Sequence, residues 1–221
     1  MQHVVERARR CKRIDQVLVA TDDQRIVDAL VPFGTVCVMT SAAHPSGTDR
    51  IAEVAKGLTA EILVNVQGDE PEIDPNTIDA LVDRLASTDD DMATAATAFP
   101  ADADVGDPNL VKVVVGLDGR ALYFSRSPIP HVRDAATTQQ AVTFYLHQGI
   151  YAYRRRFLLT FAAWPPTPLE KIEKLEQLRV LEHGRSMYVL KTQRLVHGID
   201  TPEQYAEFVK RYKEGMKSVK V

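Results

Sequence analysis

The chain has 221 residues, 45% of them hydrophobic, with 27 basic against 30 acidic residues and a formal charge of −3. That is enough apolar material for one sizeable core, and the near-neutral balance excludes a broad nucleic-acid surface. No apolar stretch approaches the roughly 20 residues that span a bilayer, and the N-terminus has no signal-peptide h-region, which together point to a soluble cytoplasmic protein. Cys11 and Cys37 stand alone, without CxxC or His spacing, so neither a disulfide nor a metal role is expected of them.

Read in chain order, residues 1–11 have a helical pattern, 16–21 form a strand ending at Asp22-Asp23, and 24–30 form a helix. A second strand spans 35–39, a helix 48–56, and a short Val/Ile-rich strand 62–67. A helix with Pro near its start follows at 75–85, then an apolar strand at 92–99. This alternation predicts a three-layer α/β, Rossmann-like fold with a mixed, mostly parallel sheet. Strands at 111–116 and 120–124 flank Leu117-Asp118-Gly119, a hairpin signal that adds an antiparallel insertion. Residues 129–140 lack periodicity and are expected to form a mobile loop or arm. A strand at 145–153, a long helix at 168–183, a strand at 186–191 and a helix at 202–214 complete the chain. The organisation expected is a single domain over 1–221, with 107–155 contributing a smaller lobe.

The most informative stretch is Ile62-Leu-Val-Asn-Val-Gln67-Gly68-Asp69-Glu70-Pro71. An apolar run ends abruptly in Gln-Gly and delivers carboxylates where open α/β sheets bind ligands, beyond the carboxyl ends of their strands. Asp69 is either a metal-ready acid or part of a turn. A second carboxylate, Asp200, stands in Gly198-Ile-Asp-Thr-Pro202 and either caps the last helix or joins Asp69. Two carboxylates from separate segments suit Mg²⁺, which takes few protein oxygens and fills its shell with water and phosphate oxygens.

Ahead of the third helix, Ser46 or Thr48 offers a cap, Gly47 permits close backbone approach, and Arg50 sits where it can meet phosphate. Solvated, it is merely a surface arginine. Arg126, where a strand ends before Ser127-Pro-Ile-Pro130, suits either a substrate carboxylate or a structural ion pair. Period-two alternation puts His147, Gly149, Tyr151 and Tyr153 on one strand face, His147 and Tyr151 being either hydroxyl-binding groups or core residues. Glu173 and Gln177, four apart, are expected on one helix face, which is otherwise a solvated charge run.

Val64-Asn-Val-Gln-Gly-Asp-Glu-Pro71, His44-x-Ser-Gly-Thr-Asp-Arg50, Ala121-Leu-Tyr-Phe-Ser-Arg-Ser-Pro-Ile-Pro130, His147-x-Gly-Ile-Tyr-Ala-Tyr-Arg154, Pro168-Leu-Glu-Lys-Ile-Glu-Lys-Leu-Glu-Gln-Leu-Arg179 and Gly198-Ile-Asp-Thr-Pro-Glu203 occur in one order. With these words nearly the whole chain resembles the 3-deoxy-manno-octulosonate cytidylyltransferases, the CMP-KDO synthetases of Gram-negative lipopolysaccharide synthesis. The resemblance implies transfer of a cytidylyl group from CTP to 3-deoxy-manno-octulosonate (KDO), releasing pyrophosphate, with Mg²⁺ held by Asp69 and Asp200. It implies CTP contacts at Ser46, Gly47, Arg50, Gln67 and Gly68. It places Arg126, His147, Tyr151, Glu173 and Gln177 in the sugar-acid pocket, Arg126 answering the KDO carboxylate, and it implies a homodimer joined near the hairpin and arm. The family opens with a strand and a basic, phosphate-gripping loop, and this sequence starts just after that region, which predicts weakened turnover. Activity on another sugar acid, and a remnant that binds without turnover, are the alternative expectations.

Overall fold

A computed structural model of the chain describes residues 1–133, 143–196 and 198–218. The expected loop at 129–140 lies largely outside the described residues. The ordered elements are α1 (Gln2–Ala8), β1 (Leu18–Thr21), α2 (Gln24–Leu30), β2 (Val36–Met39), α3 (Gly47–Lys56), β3 (Ile62–Asn65) and α4 (Pro75–Ser87). They continue through β4 (Met92–Ala98), β5 (Lys112–Val115), β6 (Ala121–Ser125), β7 (Tyr145–Arg154), α5 (Arg155–Ala163), α6 (Pro168–Glu173), α7 (Leu178–Glu182), β8 (Met187–Thr192) and α8 (Pro202–Ser218).

The main sheet has six strands in the order β6-β5-β7-β4-β8, with β3 also paired to β7, while β1 and β2 make a separate parallel pair. Strands β3, β4, β5 and β8 run one way and β6 and β7 the other. The sheet is therefore mostly parallel by strand direction. Its ladders around β7 are nonetheless antiparallel, because that ten-residue strand lies between the others. The Asp-Gly signal does make the β5-β6 hairpin, with Gly119 at φ 82°.

Side-chain alternation sorts the strands onto two faces. Met92 and Ala96 of β4, with Leu63, Tyr151 and Tyr153, pack with α3, α5 and α7. Ala93 and Ala95, with Ile62, Val64, Ile150 and Ala152, pack against α1 and α4. Both faces are covered, giving three layers. The Ala- and Thr-rich β4 is buried along nearly its whole length because small side chains let helices approach from both sides. Between Thr94 and Ala95 the β4-β7 register jumps, Thr94 facing Tyr151 and Ala95 facing Gln148. The bulge adds two β7 residues, so His147 and Tyr151 keep the same face.

Two expectations need correction. The long helix expected at 168–183 is two short ones, α6 and α7, and the separate helix α5 before them carries no expectation from sequence. Thr167 and Glu170 form a capping box at the start of α6, and Lys174 takes a left-handed conformation (φ 54°) that ends it. Leu175 and Leu178, which follow the break, enter the core. Glu173 and Gln177 consequently share no helix face: Glu173 ends α6, and Gln177, 4% exposed, precedes α7.

Candidate active site

The strand-to-loop transition after β3 works as its sequence suggests. Asn65 is buried, Gln67 and Asp69 reach solvent, and the Met1 side chain lies over Gly68, where a Cβ would stand 3.1 Å from its sulfur. The Ile199 N–H donates to the Asp69 carbonyl at 2.9 Å, which ties the loop after β3 to the segment entering α8. The two carboxylates meet there: the position of a Cβ on Gly198 is 3.4 Å from Asp69 Oδ2 and 3.8 Å from Asp200 Oδ2. Asp200 does not cap α8. Thr201 Oγ1 accepts from Gln204 N, and the Gln204 carbonyl oxygen Oε1 accepts from the Asp200 and Thr201 N–H groups. The cap is satisfied without the Asp200 carboxylate, which is left exposed beside Asp69.

At the start of α3, Ser46 accepts from Asp49 N at 3.2 Å as the N-cap. Its hydroxyl lies 2.7 Å from Asp49 Oδ2 and 2.8 Å from Glu176 Oε1, with one proton to serve both, while Thr48 Oγ1 donates to Glu176 Oε2 at 2.6 Å. Glu176 thus joins the helix start to the α6–α7 turn. It was not among the expected site residues, since a contact across 130 positions leaves no local sequence signal. Arg50 turns toward the strand ends, donating to Thr40 Oγ1 at 2.6 Å and Asp22 Oδ2 at 2.9 Å. Its guanidinium keeps N–H groups to spare, five donors serving two contacts.

The β7 face carries His147, Gly149 and Tyr151 in line. Thr94, wholly buried on β4, gives its hydroxyl proton to the Ile150 carbonyl at 2.8 Å, so at 2.9 Å it accepts from His147 Nε2 and leaves Nδ1 as an acceptor. Burial pushes His147 down to about 3, keeping the imidazole neutral. Burial, with Glu176 and Glu70 nearby, raises Tyr151 and keeps its phenol protonated. Rings continue from Phe124 to His147 (centroids 4.9 Å) to Tyr151 (5.5 Å) to Tyr153 (6.0 Å), a rigid wall. Gly149 interrupts it. A Cβ there would stand 3.7 Å from Gln67 Cγ and 3.8 Å from Glu70 Oε1, so the glycine opens a gap between the two polar wall residues. Burial and the neighbouring Asp69 push Glu70 up to about 7.

Arg126 is not free, and no carboxylate among the described residues forms an ion pair with its guanidinium. It donates to the carbonyls of Glu173 (2.7 Å), Pro108 (2.8 Å) and Lys174 (3.4 Å). The Glu173 carboxylate in turn accepts from Ser125 Oγ at 2.6 Å and the Arg126 N–H at 2.9 Å. The structure therefore gathers the expected residues in three groups: Gln67, Gly68, Asp69 and Asp200; Ser46, Gly47 and Arg50; and the wall with Arg126 and Glu173. The α6–α7 turn, through Glu173 and Glu176, links the last two.

An α/β sheet with paired carboxylates past a strand end is the arrangement of a nucleotide-handling transferase. The sequence pattern of the cytidylyltransferase family matches residues 1–190. The chain is 48% identical to the 3-deoxy-manno-octulosonate cytidylyltransferase of Syntrophotalea carbinolica over 92% of its own length and 84% of the relative's. With that of Geotalea daltonii it shares 46% over 97% and 88%. A solved structure of CMP:2-keto-3-deoxy-manno-octonic acid synthetase complexed with CTP superposes with a TM-score of 0.90 at 38% identity, covering 97% of this chain and 87% of that one. The 4-diphosphocytidyl-2C-methyl-D-erythritol synthase of Anaerococcus prevotii, 15% identical with a TM-score of 0.60 over 96% of this chain and 85% of that one, shares the fold. The chain belongs to the cytidylyltransferase family and, within it, to the 3-deoxy-manno-octulosonate cytidylyltransferases.

Proposed function

We propose that this protein is a Mg²⁺-dependent cytidylyltransferase that joins CTP and KDO to give CMP-KDO and pyrophosphate for lipopolysaccharide synthesis. The observation that carries the reading is the convergence of Asp69 and Asp200 on one point, held by the Ile199 to Asp69 backbone bond. Two exposed carboxylates fit a cation that prefers oxygen at about 2.1 Å and keeps open positions for phosphate oxygens. Mg²⁺ bound there supplies charge neutralisation for the triphosphate.

The protein's own residues do the positioning. Ser46 and Gly47 present the N-terminus of α3 to the nucleotide, with Arg50 alongside and Gln67 and Gly68 opposite. Arg126 meets the sugar-acid carboxylate with the donors its three carbonyl contacts leave over. His147 Nδ1 accepts from a sugar hydroxyl, the Tyr151 phenol donates to one, and Glu173 and Gln177 close that side of the pocket. Residues 107–155 supply the smaller lobe, and Leu117 and Leu122, large apolar side chains exposed on the hairpin, support a homodimer contact there. A cytoplasmic setting follows from the two substrates, and no helix among the described residues is long and apolar enough to cross a membrane. Incubation with CTP, Mg²⁺ and KDO, followed by ³¹P NMR, tests the reading: a phosphodiester signal from CMP-KDO supports it, and unchanged CTP refutes it.

A further inference from the structure

Lys112, at the first position of β5, is 0% exposed. It pairs across the ladders with Ser125 on one side and Leu146 on the other. Its Nζ donates to the carbonyls of Asp107 at 2.9 Å and Arg126 at 2.5 Å, and no carboxylate among the described residues forms an ion pair with it. The carboxylates whose fields reach it have other partners. Asp104 accepts from Gly106 N, Asp107 from Asn109 N, and Glu173 from Ser125 and Arg126. A lysine held in this way is costly: burial disfavours its charge, and two neutral carbonyls repay only part of the loss. An apolar side chain of similar length would fill the site at lower cost, so stability alone does not account for it.

The carbonyl it holds belongs to Arg126, whose guanidinium reaches the Pro108, Glu173 and Lys174 carbonyls. Lys112 and Arg126 thereby staple the 107–108 turn, the end of β6 and the end of α6 at one place. We infer that Lys112 is a positioning residue for the sugar acid: by holding the Arg126 carbonyl it fixes the backbone that carries the Arg126 guanidinium. This deepens the proposed function and rests on it.

The experiment compares Lys112→Met, Lys112→Gln and Lys112→Arg in the full chain, by steady-state kinetics with KDO and CTP varied in turn and by hydrogen–deuterium exchange of the 125–127 segment. The expected result for K112M is a KM for KDO about 30-fold higher, equivalent to one charge-assisted contact, with the KM for CTP unchanged and faster exchange at 125–127. K112R recovers most of the KM. K112Q, which keeps amide donors without charge, falls between and serves in place of K112M should that variant not fold. Equal changes in both KM values, or a loss of thermal stability with kinetics and exchange intact, overturn the inference. Should the wild-type chain not use KDO, the functional reading fails by itself. Unchanged exchange at 125–127 in K112M then overturns the staple, and faster exchange upholds it.

Discussion

Arg179 holds the α6–α7 turn together, and removing it gives a measurable cost. Its guanidinium is 6% exposed and forks onto Glu170, 12% exposed, at 2.6 and 2.8 Å. It also donates to the Trp164 carbonyl at 3.1 Å and lies over the Phe161 ring at 4.9 Å. Burial works to raise Glu170, and the Arg179 and Thr167 hydrogen bonds outweigh it, leaving the carboxyl below its ordinary value. Breaking a buried pair from one side costs about 3–5 kcal/mol. Glu170 retains the Thr167 N–H at 3.0 Å, so Arg179→Met should cost about 3 kcal/mol, or roughly 6–12 °C in Tm for a chain of this size. Adding Glu170→Met removes the stranded charge and should return stability to within about 1 kcal/mol of wild type. Because a depressed carboxyl stabilises only while ionised, the gap between wild type and Arg179→Met is full above the free carboxyl pKa near 4.3 and closes as the pH falls through the lower folded value. Urea denaturation followed by circular dichroism reads all of this. A single-variant cost under about 1 kcal/mol, or a double variant no better than the single, refutes the reasoning.

Three further outcomes follow from the site. Asp69→Asn and Asp200→Asn should each lower kcat/KM by about 100-fold or more with circular dichroism unchanged, and EDTA should abolish turnover of the wild type; full activity in either variant excludes the carboxylate pair. His147 is pushed down to about 3 while the unfolded residue titrates near 6.5. Between those values the unfolded state binds the extra proton, so stability rises with pH by up to about 1.4 kcal/mol per unit, a slope that His147→Gln should remove from the pH dependence of Tm. Gly149→Ala places a methyl in ordinary contact with Gln67 and Glu70, so it should fold with stability within about 1 kcal/mol of wild type yet raise the KM for the sugar acid by narrowing the wall. An unaltered KM shows the gap to be unused.

Much of the fold was legible because its signals are local. The α2 bounds, the hairpin at Gly119 and the strand running into Asp69 all follow from periodicity and turn chemistry. The sharing of one strand face by His147 and Tyr151 was legible too, and it survives only because the β7 bulge adds two residues rather than one. The split of the 168–183 helix was not legible. Lys174 is an ordinary helix former, and its left-handed turn is imposed by what Leu175, Leu178 and Arg179 reach in the tertiary structure. Glu176 and Lys112 escaped for the same reason: what marks them is burial and partners distant in sequence. Asp200 shows the reverse, an acid whose local context fits a cap and whose release by Thr201 and Gln204 appears only in three dimensions.

The most direct measurement is pyrophosphate release from CTP by the purified chain, with KDO and Mg²⁺ added separately and together. Release that requires both, matched mole for mole by CMP-KDO, is the predicted result. Release that ignores KDO, or that occurs only with a different sugar acid, contradicts the account.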